Sequence, residues 1–340
     1  MRRRSRILVV AASLLVAVGF PLFAYDPPAG AAYIPLVATA GGDIPGLTVT
    51  ALDSPWADRL NPAASGGQQR AVLAAGYEAL AGLGDASGQG VGTALALGFS
   101  LPKPYGVWGG GLRFISTPTA MSGLPLGTFV TASASLSKAL FPELLVGAGF
   151  DLSLGGNQGS YGWGAVLDLG FVHLVGDLGP LLDFRWGGVL SGIGKGYSTP
   201  LPVNGAFGTA ASSYPSAFTL TTGAEALFVR TKDWKIGAGA TLSFPSFQDL
   251  AFYLSGGISF RDVVSLRTSW GIDLGELLKG ESRSLIPGFV LSASIPLSPK
   301  ATAPSQKGGL DMSELEPTLV ARPLYDGIWG LGASAVIPIG

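Results

Sequence analysis

Few side chains in this sequence can do chemistry. His173 is the one histidine among 340 residues, and cysteine is absent. Disulfides, thiolate nucleophiles and multi-histidine metal sites are thereby excluded. Activation of a nucleophile by imidazole would rest on His173 alone, which the local alternation places at the end of a strand, where an interfacial side chain is expected. Asp168, Asp183 and Arg185 come from neighbouring strands and can pair within a polar interior, where Arg113 and Asp151 also belong. A structural ion pair, rather than a substrate site, is the expected use of such a set. The run Trp108-Gly109-Gly110-Gly111 is glycine-rich, but no Gly-Lys-Ser/Thr and no helix follows, so it is not a phosphate loop. Within a strand, Gly109, Gly110 and Gly111 permit a kink or make room for something packed against them, and Pro287-Gly288 is a second place where a ladder is interrupted. No catalytic constellation emerges. The chain reads as non-enzymatic, with no cofactor and no metal.

The elements that must carry these residues follow from composition. Charged residues make up 13% of the chain, against roughly 25% in ordinary soluble domains, and there are 52 glycines. Mean hydropathy is +0.43, yet beyond residue 25 no window reads as a spanning helix. The charge-free runs Phe114–Ser137 and Gly196–Ala224 are filled with Gly, Pro, Ser and Thr. A hydrophobic chain without hydrophobic helices points to a transmembrane β-barrel. At the N-terminus, Arg2, Arg3, Arg4 and Arg6 precede an apolar run from Ile7 to Ala24, the pattern of a signal peptide over 1–24. Cleavage after Ala24 removes four of the 21 basic residues and none of the 22 acidic ones, for a net charge of −5. Nothing in that balance favours nucleic acid.

Residues 25–67 carry six prolines and no sustained period, but Tyr33, Ile34, Leu36, Val37, Ile44, Leu47 and Val49 are too apolar for a freely solvated tail. A plug packed into a lumen is expected there. From residue 68 the chain alternates. The spacing predicts strands over 70–80, 91–100, 106–115, 128–137, 145–153, 161–173, 181–190, 217–229, 234–244, 250–260, 263–273, 285–297, 317–324 and 327–339, about fourteen in all. Arg113, Asp151, Asp168, Asp183, Arg185, Glu225, Lys235, Arg267 and Asp273 all share the face that carries Gly, Ser and Thr. A Lys or Arg on the lipid face of a barrel costs about 2–4 kcal/mol at the bilayer midplane, so the other face is the one expected to meet lipid. A soluble sandwich would instead dress its outer face in Lys and Glu. Connections after even-numbered strands are short and those after odd-numbered ones long, as in outer-membrane barrels, except for a long stretch at Ser298–Leu315 and a tight one at Tyr325-Asp326-Gly327.

The hinge between the two regimes is the stretch from Asp53 to Leu80. Asn61-Pro62-Ala63 does not continue a ladder comfortably, because Pro62 lacks an N–H and restrains Asn61. Ala51, Asp53 and Asn61-Pro62-Ala63, placed just before a strand and behind a plug-sized segment, resemble the FadL-type outer-membrane transporters of hydrophobic compounds, particularly their shorter PorV-type relatives. The resemblance covers nearly the whole mature chain. It implies an all-β, antiparallel transmembrane barrel of about fourteen strands (68–340) behind an N-terminal hatch (25–67), with Asp53, Asn61, Pro62 and Ala63 at their junction. It further implies passive uptake of small hydrophobic molecules such as long-chain fatty acids, with sideways exit through a kinked early strand, for which Gly109–Gly111 is the candidate. Outer-membrane lipid and a hydrophobic ligand are the implied partners. Two departures are visible: the chain ends Ile337-Pro338-Ile339-Gly340 without a terminal aromatic, and it is shorter than the well-studied fatty-acid transporters. A barrel that docks a protein partner, as in a secretion system, is the alternative reading.

Overall fold

A computed structural model describes residues 41, 47–52, 54–82, 90–117, 127–157, 160–195, 218–245, 250–274, 288–293, 295–296, 314–325 and 328–339. The signal segment 1–24, most of the 25–46 stretch, Asp53, Pro287 and the connection within Ser298–Leu315 lie outside the described residues.

Among the described residues the only helical element of any length is one 3-10 turn, Ala57–Arg59; all else regular is strand. The strands are β1 (Ala71–Gly82), β2 (Val91–Lys103), β3 (Gly106–Thr117), β4 (Gly127–Phe141), β5 (Leu144–Asn157), β6 (Ser160–Leu178), β7 (Leu181–Lys195) and β8 (Thr219–Arg230). They continue as β9 (Trp234–Pro245), β10 (Ala251–Phe260), β11 (Val264–Asp273), β12 (Gly288–Ala293), β13 (Ile295–Pro296), β14 (Glu314–Tyr325) and β15 (Ile328–Ile339). All form one antiparallel sheet of 15 strands with sequential neighbours paired. β12 and β13 both pair with β14, so they are two pieces of one wall position, and fifteen segments fill fourteen places. β12 also pairs with β11, and β15 pairs with both β14 and β1. The ladder of pairings therefore returns to its start, which satisfies the backbone groups that an edge strand would expose.

The expected strands correspond to these, and several run longer, β4 to Phe141, β5 to Asn157 and β7 to Lys195. β6 continues past His173 to Leu178, pairing with β7 through register shifts around Gly176, where φ is +78°. Gly176 supplies a left-handed conformation that β-branched neighbours could not, so the ladder bends and goes on instead of stopping.

Alternation divides the wall as the charges foretold. On β2, Ala94, Ala96 and Ser100 are buried, while Leu95 and Leu97 are exposed. On β3, Val107, Arg113 and Ile115 are buried, while Trp108 and Leu112, at the alternate positions, are exposed. The exposed face carries Leu, Phe, Trp and Tyr on strand after strand, an apolar surface far larger than water-soluble proteins display. Trp186 donates to His173 Nδ1 at 3.1 Å and packs edge-on against Phe171, so His173 is tied into an aromatic cluster within β6 and not at its end, because the ladder runs on to Leu178. Short connections (Pro104–Tyr105, Pro142–Glu143, Gly179–Pro180, 231–233 and 261–263) gather at one end of the barrel, where β1 also begins beside the end of β15. Ion pairs ring that end: Arg230 with Asp177 and Asp183, Lys235 with Asp262, and Arg261 with Asp233.

Candidate functional site

The segment just before β1 lies against the inner, small-residue face of the wall, and glycines mark its track. A Cβ on Gly239 of β9 would meet Thr48, one on Gly223 of β8 would meet Val49, and one on Gly187 of β7 would meet Thr50. Farther round, Gly170 of β6 faces Asn61, Gly147 of β5 faces Pro62, Gly109 of β3 faces Asp58, and Gly98 of β2 faces Trp56. Seven wall strands thus omit a side chain where the segment passes. Trp56, Asn61 and Ala63 are wholly buried, Trp56 against Val72, Ala74, Ala96 and Val336, and Ala63 against Leu145 and Val172.

Asn61-Pro62-Ala63 is the best-anchored part. Asn61 Nδ2 donates to the Val49 carbonyl at 2.7 Å and to the Phe171 carbonyl of β6 at 3.1 Å, while its Oδ1 accepts from the Ala63 N–H at 3.0 Å. Only a carboxamide offers two donors and an acceptor on one planar group of this size; aspartate would set lone pairs against two carbonyls. Pro62 then turns the chain, and i→i+3 bonds Ala64→Asn61, Gly66→Ala63 and Gln68→Ser65 carry it to β1.

Charged residues pin the segment elsewhere. Glu225 of β8 pairs with Arg185 of β7 and also accepts from the Thr48 and Thr50 hydroxyls. Glu78 of β1 is held by Arg322 of β14 at 2.7 and 3.1 Å, across β15, and accepts the Gly41 N–H at 2.8 Å. Both members of that pair are almost fully buried. Asp58 accepts from the N–H and hydroxyl of Ser65 on Oδ1, while its Oδ2 is buried without a hydrogen-bond partner among the described residues. Burial, the largest effect, pushes this carboxyl up to about 7 against the opposing pull of Ser65. Arg59 is pulled down to about 9 by burial and then by Arg113, with Asp151 acting the other way.

Of the residues singled out from sequence, Asn61, Pro62 and Ala63 sit together at the point where the segment meets β5 and β6; Asp53 lies outside the described residues. Arg113 and Asp151 approach to 4.0 Å on the inner face. Asp168, Asp183 and Arg185 do not pair with one another: Asp168 accepts the Gly192 N–H, Asp183 turns to Arg230 at the exposed short-turn end, and Arg185 goes to Glu225. Asp183 has φ +50° and follows the β6–β7 turn, so its side chain is directed away from the interior that strand parity alone assigns it. Gly109, Gly110 and Gly111 are paired without a break to Ser100, Phe99 and Gly98 on β2 and to Ser135, Ala134 and Ser133 on β4. A Cβ on Gly109 would press on Asp58 and Ser135, and one on Gly111 on the Leu97 carbonyl. Gly109 thus gives room to Asp58 of the segment, while Gly110 and Gly111 lie close against the neighbouring strands.

Sequence reasoning placed Glu225 on the correct face without giving it a role, and it assigned none to Glu78, Arg322, Thr48, Thr50 and Asp58. A lone carboxylate on an inward face signals a partner. Which partner could not be read, since Arg322 is 244 residues away. Among the described residues no cluster of His, Asp or Glu could hold a metal. The arrangement is one of occlusion and anchoring.

Together these features define an antiparallel membrane-type barrel with a chain segment packed inside. No protein-family profile and no curated protein sequence matches the chain. Solved structures do. The deltaS2S3 mutant of the TodX monoaromatic hydrocarbon channel is similar with a TM-score of 0.53 and 10% identity, covering 88% of this chain and 100% of that one. The CymD monoaromatic hydrocarbon channel is similar with a TM-score of 0.51 and 12% identity, covering 86% of this chain and 94% of that one. The chain has the fold of the outer-membrane channel barrels.

Proposed function

We propose that the protein is an outer-membrane conduit for the passive uptake of small hydrophobic molecules, with residues 25–67 acting as a hatch and no catalytic step. The observation that carries the reading is the course of residues 47–66 across the inner face from β9 to β2, held at Glu225, Asn61 and Asp58. A segment fixed by a few polar anchors over a glycine track closes a lumen while remaining separable from its wall. Support also comes from the inner face itself, which is small and mostly neutral where a general porin would be lined with charge. Two fold neighbours are named as monoaromatic hydrocarbon channels, in keeping with a greasy substrate. Such a substrate gains about 0.8 kcal/mol for each buried CH₂, so aromatic hydrocarbons or long-chain fatty acids bind without a charged anchor. Deletion of residues 25–67 is expected to leave a barrel that still shows heat-modifiable gel mobility but conducts ions freely in planar bilayers. Cells expressing the intact protein should take up a fluorescent fatty acid or an aromatic probe faster than cells lacking it. Unchanged conductance after the deletion, with no uptake of either probe, would remove this reading.

A further inference from the structure

We propose that Asp58 is a proton-sensitive latch, which in its neutral form lets residues 55–66 stay packed against β2, β3 and β5 and in its ionised form releases them. The geometry carries the argument. One carboxylate oxygen is served by Ser65, with the N–H at 3.1 Å and the hydroxyl at 2.5 Å. The other is buried with no partner among the described residues and abuts the wall where a Cβ on Gly109 would lie 2.5 Å from it, beside Ser135 of β4. An ionised carboxylate there buries a charge with one oxygen unserved, which is costly; a carboxylic acid buries no charge.

The charged groups around it do not relieve this. Arg59, its neighbour in the segment, has a buried, unpartnered Nη1 and lies over the Trp56 ring. Arg113 of β3 is directed to Asp151 of β5 at 4.0 Å, with its own Nε unpartnered. From β2, Ser100 reaches Ser65, not Asp58. The carboxyl's ordinary value of 3.8 is raised to about 7 by burial in the packed state. The sign follows: the packed state binds the proton more tightly, so its advantage is complete below about 4 and is lost as pH rises through about 7. Between those limits the release equilibrium grows by up to about tenfold per pH unit, and above them it is level. If the inner segment is the hatch proposed above, the barrel opens toward neutral and alkaline pH.

The absence of native cysteine allows a direct test. A single thiol at Ala64, buried beside Ala51 and Ala57, reports exposure of the segment through its rate of labelling by a methanethiosulfonate reagent. The ratio of that rate in the Asp58 protein to the rate in an Asp58→Asn background cancels the thiol's own ionisation. The ratio should climb steeply between about pH 5 and 7 and level above, and Ser65→Ala should move the midpoint upward by removing a donor to the carboxylate. A flat ratio, or a pH step that persists unchanged in Asp58→Asn, would overturn the latch. If Asp58→Asn does not assemble, the midpoint of the parent protein against that of Ser65→Ala decides: an upward move supports the latch and no move sinks it. Planar-bilayer conductance run in parallel separates the two ideas. A labelling step without a conductance step keeps the latch and discards the hatch.

Discussion

Replacement of Gly147 by Ala is the sharpest probe of how the segment is held. A methyl group at Gly147 would stand 2.2 Å from the Pro62 carbonyl oxygen and 2.4 Å from its carbon, and those are backbone atoms that cannot rotate away. Pro62 would have to retreat by about 1.2 Å to restore the 3.4 Å of an ordinary contact. Overpacking of that kind costs about 1–3 kcal/mol. The retreat also stretches the Asn61 bonds to Val49 and Phe171, each worth about 1 kcal/mol. A shift of about 2–4 kcal/mol in the undocking equilibrium follows, or roughly 30- to 700-fold. The wall should not suffer, because alanine is better accommodated than glycine in a strand. Gly149 supplies the control two residues on: its added Cβ would meet Pro62 Cβ at 3.4 Å, an ordinary contact, so Gly149→Ala should be silent. Expected readouts are normal heat-modifiable mobility for both variants, with raised bilayer conductance and faster proteolysis near residue 62 for Gly147→Ala alone. Identical behaviour of the two alanine variants, or a Gly147→Ala protein as closed as the parent, would refute the close-packing argument.

Two further outcomes are expected. Glu78→Gln should lower the thermal stability of the detergent-solubilised barrel by about 1–3 kcal/mol, because the buried carboxylate that accepts from Arg322 and from the Gly41 N–H is lost, whereas Glu78→Leu combined with Arg322→Met should recover part of it; melting followed by gel mobility distinguishes the two. Leu167→Arg, on the exposed apolar face, should impair assembly by about 2–4 kcal/mol if it lies near the bilayer midplane, while arginine at inward Ser255 should be milder with respect to lipid; equal tolerance at both would reverse the assignment of faces.

Determined by the sequence alone were the strands, their faces and their number of places around the wall. Period-2 alternation and the exclusion of charge from one face are local consequences of a pleated strand between lipid and lumen, so Leu95, Leu97 and Trp108 could be set outward and Arg113 and Glu225 inward without knowing any partner. Asn61-Pro62-Ala63 stood out in the sequence as the place just before the alternation begins, although Pro317 and Pro338, both inside ladders, show that proline by itself does not end one. Tertiary structure alone decided what those inward residues touch. Glu78 meets Arg322 only because the last strands come round to the first, Arg185 meets Glu225 because register sets that residue opposite it on β8 and Leu174, not Asp168, opposite it on β6, and Asp183 leaves the interior because a turn puts it at positive φ. Gly109 of β3 could be read from sequence as a kink or as clearance; only the presence of Asp58 beside it decides for clearance. Side-chain parity is a property of each strand by itself, whereas pairing, clearance and burial are properties of distances between segments far apart in the chain, and those exist only once the barrel has closed around its inner segment.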